Sequence, residues 1–261
     1  LDLLGRRLGD EALVVQAFID AVIDLHVHLQ DGAASLAAYE ADAAKAGRRV
    51  AAAGVMWFGG PNQALKGDPK AIAAGNDAVL ALSRERDSVI AIVTVHPYDG
   101  KKAIAELERV TAGVKIVKLH PHTQKFDAAD PRVLALVRRA GELGMIVLFD
   151  NAAILPGDSE KLLNLALAAP ETRFIFAHMG GLGFRFWNVL KAARTAEDLF
   201  AENIYFDISA TVAIIAESPI EEEFVWTIRN VGVDRVLVGS DFPQYSLGAN
   251  LRALEAMELT A

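Results

Sequence analysis

Eight short apolar runs, each followed by a segment of helical composition, constrain this chain more than any other feature of its sequence. The runs are Val22–Leu29, Val50–Phe58, Val89–Val95, Val114–Leu119, Met145–Phe149, Arg173–Ala177, Ile204–Ile208 and Val236–Val238. They are rich in Val, Ile and Phe and nearly free of polar interruption, which suits strands of a parallel sheet covered on both faces. Helices are expected between them at Ser35–Arg48, Pro69–Arg86, Lys101–Thr111, Pro131–Leu143, Ser159–Ala169, Trp187–Ala201 and Pro219–Val231, with an eighth at Leu247–Leu259. Asp68-Pro69, Asp130-Pro131 and Ser218-Pro219 each set a capping side chain before a proline at the first helical position. Gly47, Gly113 and Gly144 mark helix ends. Eight such units in 261 residues is the arithmetic of an α/β fold of the (β/α)8 TIM-barrel type. The competing doubly wound sheet usually has fewer strands and, in nucleotide binders, a glycine-rich turn after the first strand. Here the first run leads into His28-Leu29-Gln30-Asp31. The expectation is one barrel domain over residues 1–261, with residues 1–20 as an N-terminal helical extension.

Composition narrows the chemistry. There is no cysteine, which excludes disulfides, thiolate metal sites and cysteine nucleophiles. Any metal must be held by His, Asp, Glu or a modified Lys. A net charge of −8 argues against general nucleic-acid binding. No apolar window is long enough to span a membrane. The stretch Ala12–Ile23 is broken by Gln16 and Asp20 and does not resemble a signal peptide. The absence of a leading Met points to a natural N-terminus that is missing or processed. A cytoplasmic protein acting on a small molecule, with no nucleic-acid or membrane partner, is the expectation. Association into homo-oligomers is left open.

The active end of a barrel is where its strands end, and the chemistry-bearing residues collect there. The first run ends in His26 and His28. Later runs end in His96-Pro97, in Lys118, His120 and His122, in Asp150-Asn151, in His178, in Asp207 and Ser209, and in Ser240-Asp241. All six histidines of the chain fall at these ends. Residues two apart on a strand share a face, so Asp24, His26 and His28 are expected to point together into the barrel, with Ile23, Leu25 and Val27 toward the helices. Paired imidazoles on one face are a natural start for a metal site. Lys118, on an apolar strand, is costly unless paired or modified. An ion pair with Asp24 or another barrel carboxylate is the leading expectation, ahead of a carboxylated lysine bridging metals. His96 is expected to be structural, and Asp207 and Ser209 to hydrogen-bond within the mouth. Trp57, Phe58 and Tyr245 are placed to line a pocket or the core.

Four pieces in order, Asp24-Leu-His-Val-His28, Lys118-Leu-His-Pro121, Ala177-His-Met-Gly-Gly181 and Gly239-Ser-Asp-Phe-Pro243, resemble the amidohydrolase superfamily of metal-dependent hydrolases. The nearest branch is the amidohydrolase-related one that also contains aminocarboxymuconate-semialdehyde decarboxylase. Softer matches are Gly75-Asn-Asp77 and Val95-His-Pro97. The resemblance implies one divalent metal ion, zinc or else manganese, held by His26, His28 and Asp241. It implies catalytic roles for Asp241, as the residue touching both metal and water, and for His178, which orients the reacting group. Where this branch has a histidine at the end of strand five, the chain has Asp150, expected to serve as a further, more anionic ligand. Lys118, His120 and His122 are expected to bind an anionic group of the substrate. Hydrolysis of an amide, lactone or ester is the implied reaction. Nonoxidative decarboxylation of a small aromatic or unsaturated acid is the alternative, and a metal-free ligand-binding barrel is a third reading.

Overall fold

The computed structural model describes residues 21–58, 63–196 and 201–257. The expected N-terminal extension at residues 1–20 lies outside them. Eight parallel strands run in sequence order: β1 Ala21–His28, β2 Arg49–Met56, β3 Val89–Thr94, β4 Ile116–Leu119, β5 Ile146–Phe149, β6 Arg173–Phe176, β7 Ile204–Asp207 and β8 Val236–Leu237. The first and last strands meet as well. Leu25 N–H donates to Val238 O at 3.0 Å, His28 N–H to Phe242 O at 2.8 Å, and Asp241 N–H to His26 O at 2.8 Å. These bonds close the seam of a (β/α)8 barrel.

The main helices between strands are α1 Gly32–Ala43, α2 Pro69–Glu85, α3 Lys101–Val110, the short α4 Pro121–Gln124, α5 Pro131–Glu142, α6 Asp158–Ala168, α7 Val189–Ala193, the short α8 Thr211–Ile215, α9 Glu221–Val231 and α10 Leu247–Ala256. Asp68 and Asp130 cap α2 and α5 as expected, accepting from Ala71 N–H at 3.3 Å and Arg132 N–H at 2.8 Å. Ser218 does not cap α9, which begins at Glu221 after Ile220. Of the helix expected over Trp187–Ala201, only Val189–Ala193 is α-helical among the described residues, preceded by a 3-10 segment, Ala177–Asn188. Upstream, Gly180 and Gly181 take left-handed φ within the 3-10 segment.

Strand residues alternate between two cores, as period-two geometry requires. Ile92, Ile116, Ile146, Leu148 and Ile175 fill the barrel interior with Leu25 and Met56. Val93, Val117, Val147, Phe149, Phe174 and Phe176 face the helix layer. On the helix side, Trp187 is fully buried and stacks on Phe176 at 5.0 Å between ring centroids. A side chain of this size contributes on the order of 3 kcal/mol by burial. The alternation carries Lys118 and Asp150 inward at the top of the interior column, above Ile116 and Leu148.

Strand β1 departs from the expected parity. Leu25 belongs to the interior cluster, so Asp24 turns the other way. It accepts from His26 N–H at 3.2 Å, Ser240 N–H at 2.8 Å and Tyr39 Oη–H of α1 at 3.0 Å. The pairing of β1 with β2 shifts register between Asp24 and Val27. One extra residue in a strand resets which face follows, and His26 and His28 then both point into the mouth.

Candidate metal centre

His26 and His28 are brought together by that shift and by the seam. His26 Nδ1 faces Asp207 Oδ2 at 3.0 Å, and His28 Nδ1 faces the carbonyl oxygen of Phe58. Both partners can only accept, so both rings carry their proton on Nδ1 and leave a lone pair on Nε2. The two Nε2 atoms are 3.1 Å apart. Asp241 Oδ1 lies 3.5 Å from the first and 3.4 Å from the second. Two ligands bound tetrahedrally to one ion at about 2.0–2.1 Å stand roughly 3.3 Å from each other. Three lone-pair donors at that spacing repel one another without a cation and fit one between them. His178 belongs to the same neighbourhood. It, His26 and Asp241 form a buried group whose ligand atoms lie within 4.8 Å of one another. A buried His-His-Asp group of this kind can hold a metal ion.

Neighbouring residues fix the group. Asp207 accepts from Ser209 Oγ–H and from His178 N–H at 3.3 Å as well as pairing with His26. Burial pushes its carboxyl up, but the His26 ring and the hydrogen bond from it outweigh burial and keep Asp207 well below the usual carboxylate range. The sequence places Asp207 in the mouth without indicating that it orients His26, a role that a carboxylate behind a liganding imidazole typically has. Gly239 is needed for the approach. A Cβ there would stand 2.8 Å from His26 Cβ and 3.1 Å from Ser209 Cβ. His178 and Asp241 have left-handed backbones, φ 59° and 63°. Such strain costs non-glycine residues about 1–3 kcal/mol and gathers at functional sites.

Burial, then the Lys118 charge, lowers His26 to about 4. Its unprotonated state at neutral pH agrees with the lone pair the geometry assigns. Burial opposes ionisation of Asp241, but the surrounding His28, His26 and His178 rings outweigh it and hold the carboxyl below the usual range. Lys118 is fully buried with Nζ 3.2 Å from His26 Nε2. Asp24 is not its partner, since the bulge turns that carboxylate toward α1 and β8. Among the described residues no carboxylate comes within ion-pairing distance of it. Burial lowers its pKa against the fields of Asp150, Asp207 and Asp241.

The other two residues expected to bind substrate, His120 and His122, each face a carboxylate. His120 Nε2 stands 3.5 Å from Asp150 Oδ2. His122 Nε2 bonds Asp158 Oδ2 at 2.9 Å. Asp150 Oδ2 is 3.2 Å from His178 Nε2. His96, as expected, is structural: Nε2 donates to Gln124 O at 2.7 Å and Nδ1 accepts from Tyr98 N–H at 3.1 Å. Phe58 is buried with its ring 5.9 Å from that of His120. A pocket of about 260 Å³ opens beside the mouth, walled by Asp150, Asn151, His122, Phe126, Leu155 and Asp158 among others.

The amidohydrolase family profile matches residues 23–261, and the chain belongs to that family. No curated protein matches it in sequence. Among solved structures, it is similar to an amidohydrolase II, with 16% identity, a TM-score of 0.68, and 92% of this chain and 94% of the other covered. It is also similar to 5-carboxyvanillate decarboxylase from Novosphingobium aromaticivorans, solved with manganese and 4-hydroxy-3-methoxy-5-nitrobenzoic acid (15%, TM-score 0.66, 92% and 91% covered). A third is 2,6-dihydroxybenzoate decarboxylase from Rhizobium (13%, TM-score 0.65, 92% and 93% covered). At these identities the likeness shows a shared fold.

Proposed function

We propose that this amidohydrolase-family chain is a metal-dependent enzyme that cleaves a small carbonyl- or carboxyl-bearing molecule, with His26, His28 and Asp241 as the ligands of one divalent ion. The observation that carries the reading is the triangle of unprotonated donors, 3.1–3.5 Å on each side, at the carboxyl ends of β1 and β8. Nitrogen and carboxylate donors suit zinc or manganese. When bound, such an ion supplies a Lewis acid that acidifies water and polarises a carbonyl or carboxyl oxygen.

The chain's own residues do the rest. Asp241 is ionised and takes a proton from the attacking group. His178, held near the same point by Ser209 O at 3.0 Å from Nδ1, orients the reacting oxygen and gives a proton to the leaving group, and it is recharged by the proton that Asp241 took. Burial alone would lower His178, but Asp150, Asp207 and Asp241 together raise it to about 9, which leaves it the donor at neutral pH. Asp207 keeps His26 aimed. Hydrolysis of an amide, lactone or ester uses these roles in the order given.

Decarboxylation is the second reading. It is favoured by the decarboxylases among the similar structures, and it would use His178 as the proton source for the carbon left by carbon dioxide. Two measurements separate the readings. Elemental analysis of purified chain is expected to give one metal per chain, lost in H26A; a metal-free wild-type chain would leave only the ligand-binding reading. A panel of esters, lactones, amides and carboxylic acids, followed for hydrolysis and for carbon dioxide release, then assigns the reaction.

A further inference from the structure

Asp150 stands where the branch has a metal-ligating histidine, and its surroundings give it different work. Its Oδ2 faces His178 Nε2 at 3.2 Å and His120 Nε2 at 3.5 Å. The His120 ring fixes how the second contact must be read. Its Nδ1 accepts from Thr123 N–H at 3.4 Å at the start of α4, so a neutral ring carries its proton on Nε2. A protonated Nε2 has no lone pair for a metal and can only donate, toward Asp150. The backbone that carries the ring is fixed as well, since the His120 main-chain N–H donates to Gln124 Oε1 at 2.8 Å. One carboxylate oxygen is thus already engaged by an imidazole from the end of β4 and another from the end of β6.

We infer that Asp150 is a positioning residue and not a metal ligand: it ties His120 and His178 together as one wall of the reaction site. The inference rests on the metal-dependent reading above. Asp150 then holds a fixed pair of imidazoles, one of them in the proposed proton-transfer role. Asp150 and Asn151 also line the pocket of about 260 Å³, so the wall it holds borders the space a substrate would enter.

The test uses the full chain stripped with a chelator and titrated with zinc and with manganese, alongside D150N, D150A and H26A. Binding is followed by calorimetry and by elemental analysis of the reloaded protein. Both Asp150 variants are expected to take up one ion with a Kd within about fivefold of wild type, and H26A to bind at least about a hundredfold more weakly. A larger loss in D150N, the near-isosteric change, with an unaltered circular dichroism spectrum overturns the inference and leaves the metal centre standing. Unchanged binding in H26A overturns the metal-dependent reading instead. Nitrogen-15 spectra of the imidazoles supply a readout that a merely structural role would not move. D150A is expected to shift the Nε2 signals of His120 and His178 and leave those of His26 and His28 in place; the reverse pattern makes Asp150 a ligand.

Discussion

The seam between β1 and β8 and the wall formed by the ends of β4, β5 and β6 are built from the same residue types, histidine and aspartate, at similar spacings. They differ in where the protons are. At the seam, Asp207 and the Phe58 carbonyl claim the Nδ1 protons of His26 and His28, and the remaining lone pairs point at one another. At the wall, Thr123 N–H claims a lone pair of His120, and the ring presents a proton to Asp150. A cluster of imidazoles and carboxylates is therefore a metal site or an ion-pair network according to what holds the far nitrogen of each ring.

Changes at either region can break this contrast. The largest effect is expected from H26A and D241A, each of which deletes a donor from a three-residue set. Stoichiometric metal should disappear from the purified variants, and retention of one ion per chain would place the site elsewhere. D207N should come next. It leaves His26 in place but weakens the hold on its Nδ1 proton, for a loss of about 10–100-fold in metal affinity; an unchanged Kd would mean that Asp207 does not orient the ring. G239A inserts a methyl group 2.8 Å from His26 Cβ. It should cost about 1–3 kcal/mol of stability in denaturant unfolding, with metal binding weakened in step. The smallest change is expected in D150N, whose metal affinity should stay within the fivefold margin set above.

Much of the barrel was legible because its signal is period and punctuation. Apolar runs such as Ile146–Phe149 and capped starts such as Asp130-Pro131 are local features, and each lies within its expected element. The parity of β1 was not legible. Asp24, His26 and His28 read as one face, yet the bulge sends Asp24 to Tyr39 and Ser240. A bulge is set by how neighbouring strands register, which a single run does not record. The same limit applies to Lys118, whose expected partner Asp24 is turned away by that bulge. The short helix at Pro121–Gln124 was missed although His120-Pro121 carries the capping signal used elsewhere. His26, His28, His178 and Asp241 could be picked out as candidates because strand ends are legible. Asp207 behind His26 and Thr123 behind His120 were not, since a proton's location depends on contacts between residues far apart in the chain.

The barrel's closing seam also gives the proposed ion a mechanical role. β8 has two residues, and the join to β1 rests on a few backbone bonds at Leu25, His28 and Asp241. His26 and Asp241 stand on opposite sides of that join, at nearly opposite ends of the described chain. An ion gripping both would work as a clasp, linking first strand to last across almost the whole sequence, as a covalent tie restricts a long loop. Closing the seam and capturing the metal would then be coupled. A chain stripped of its ion should open first at the β1–β8 join, with the six strands between still paired.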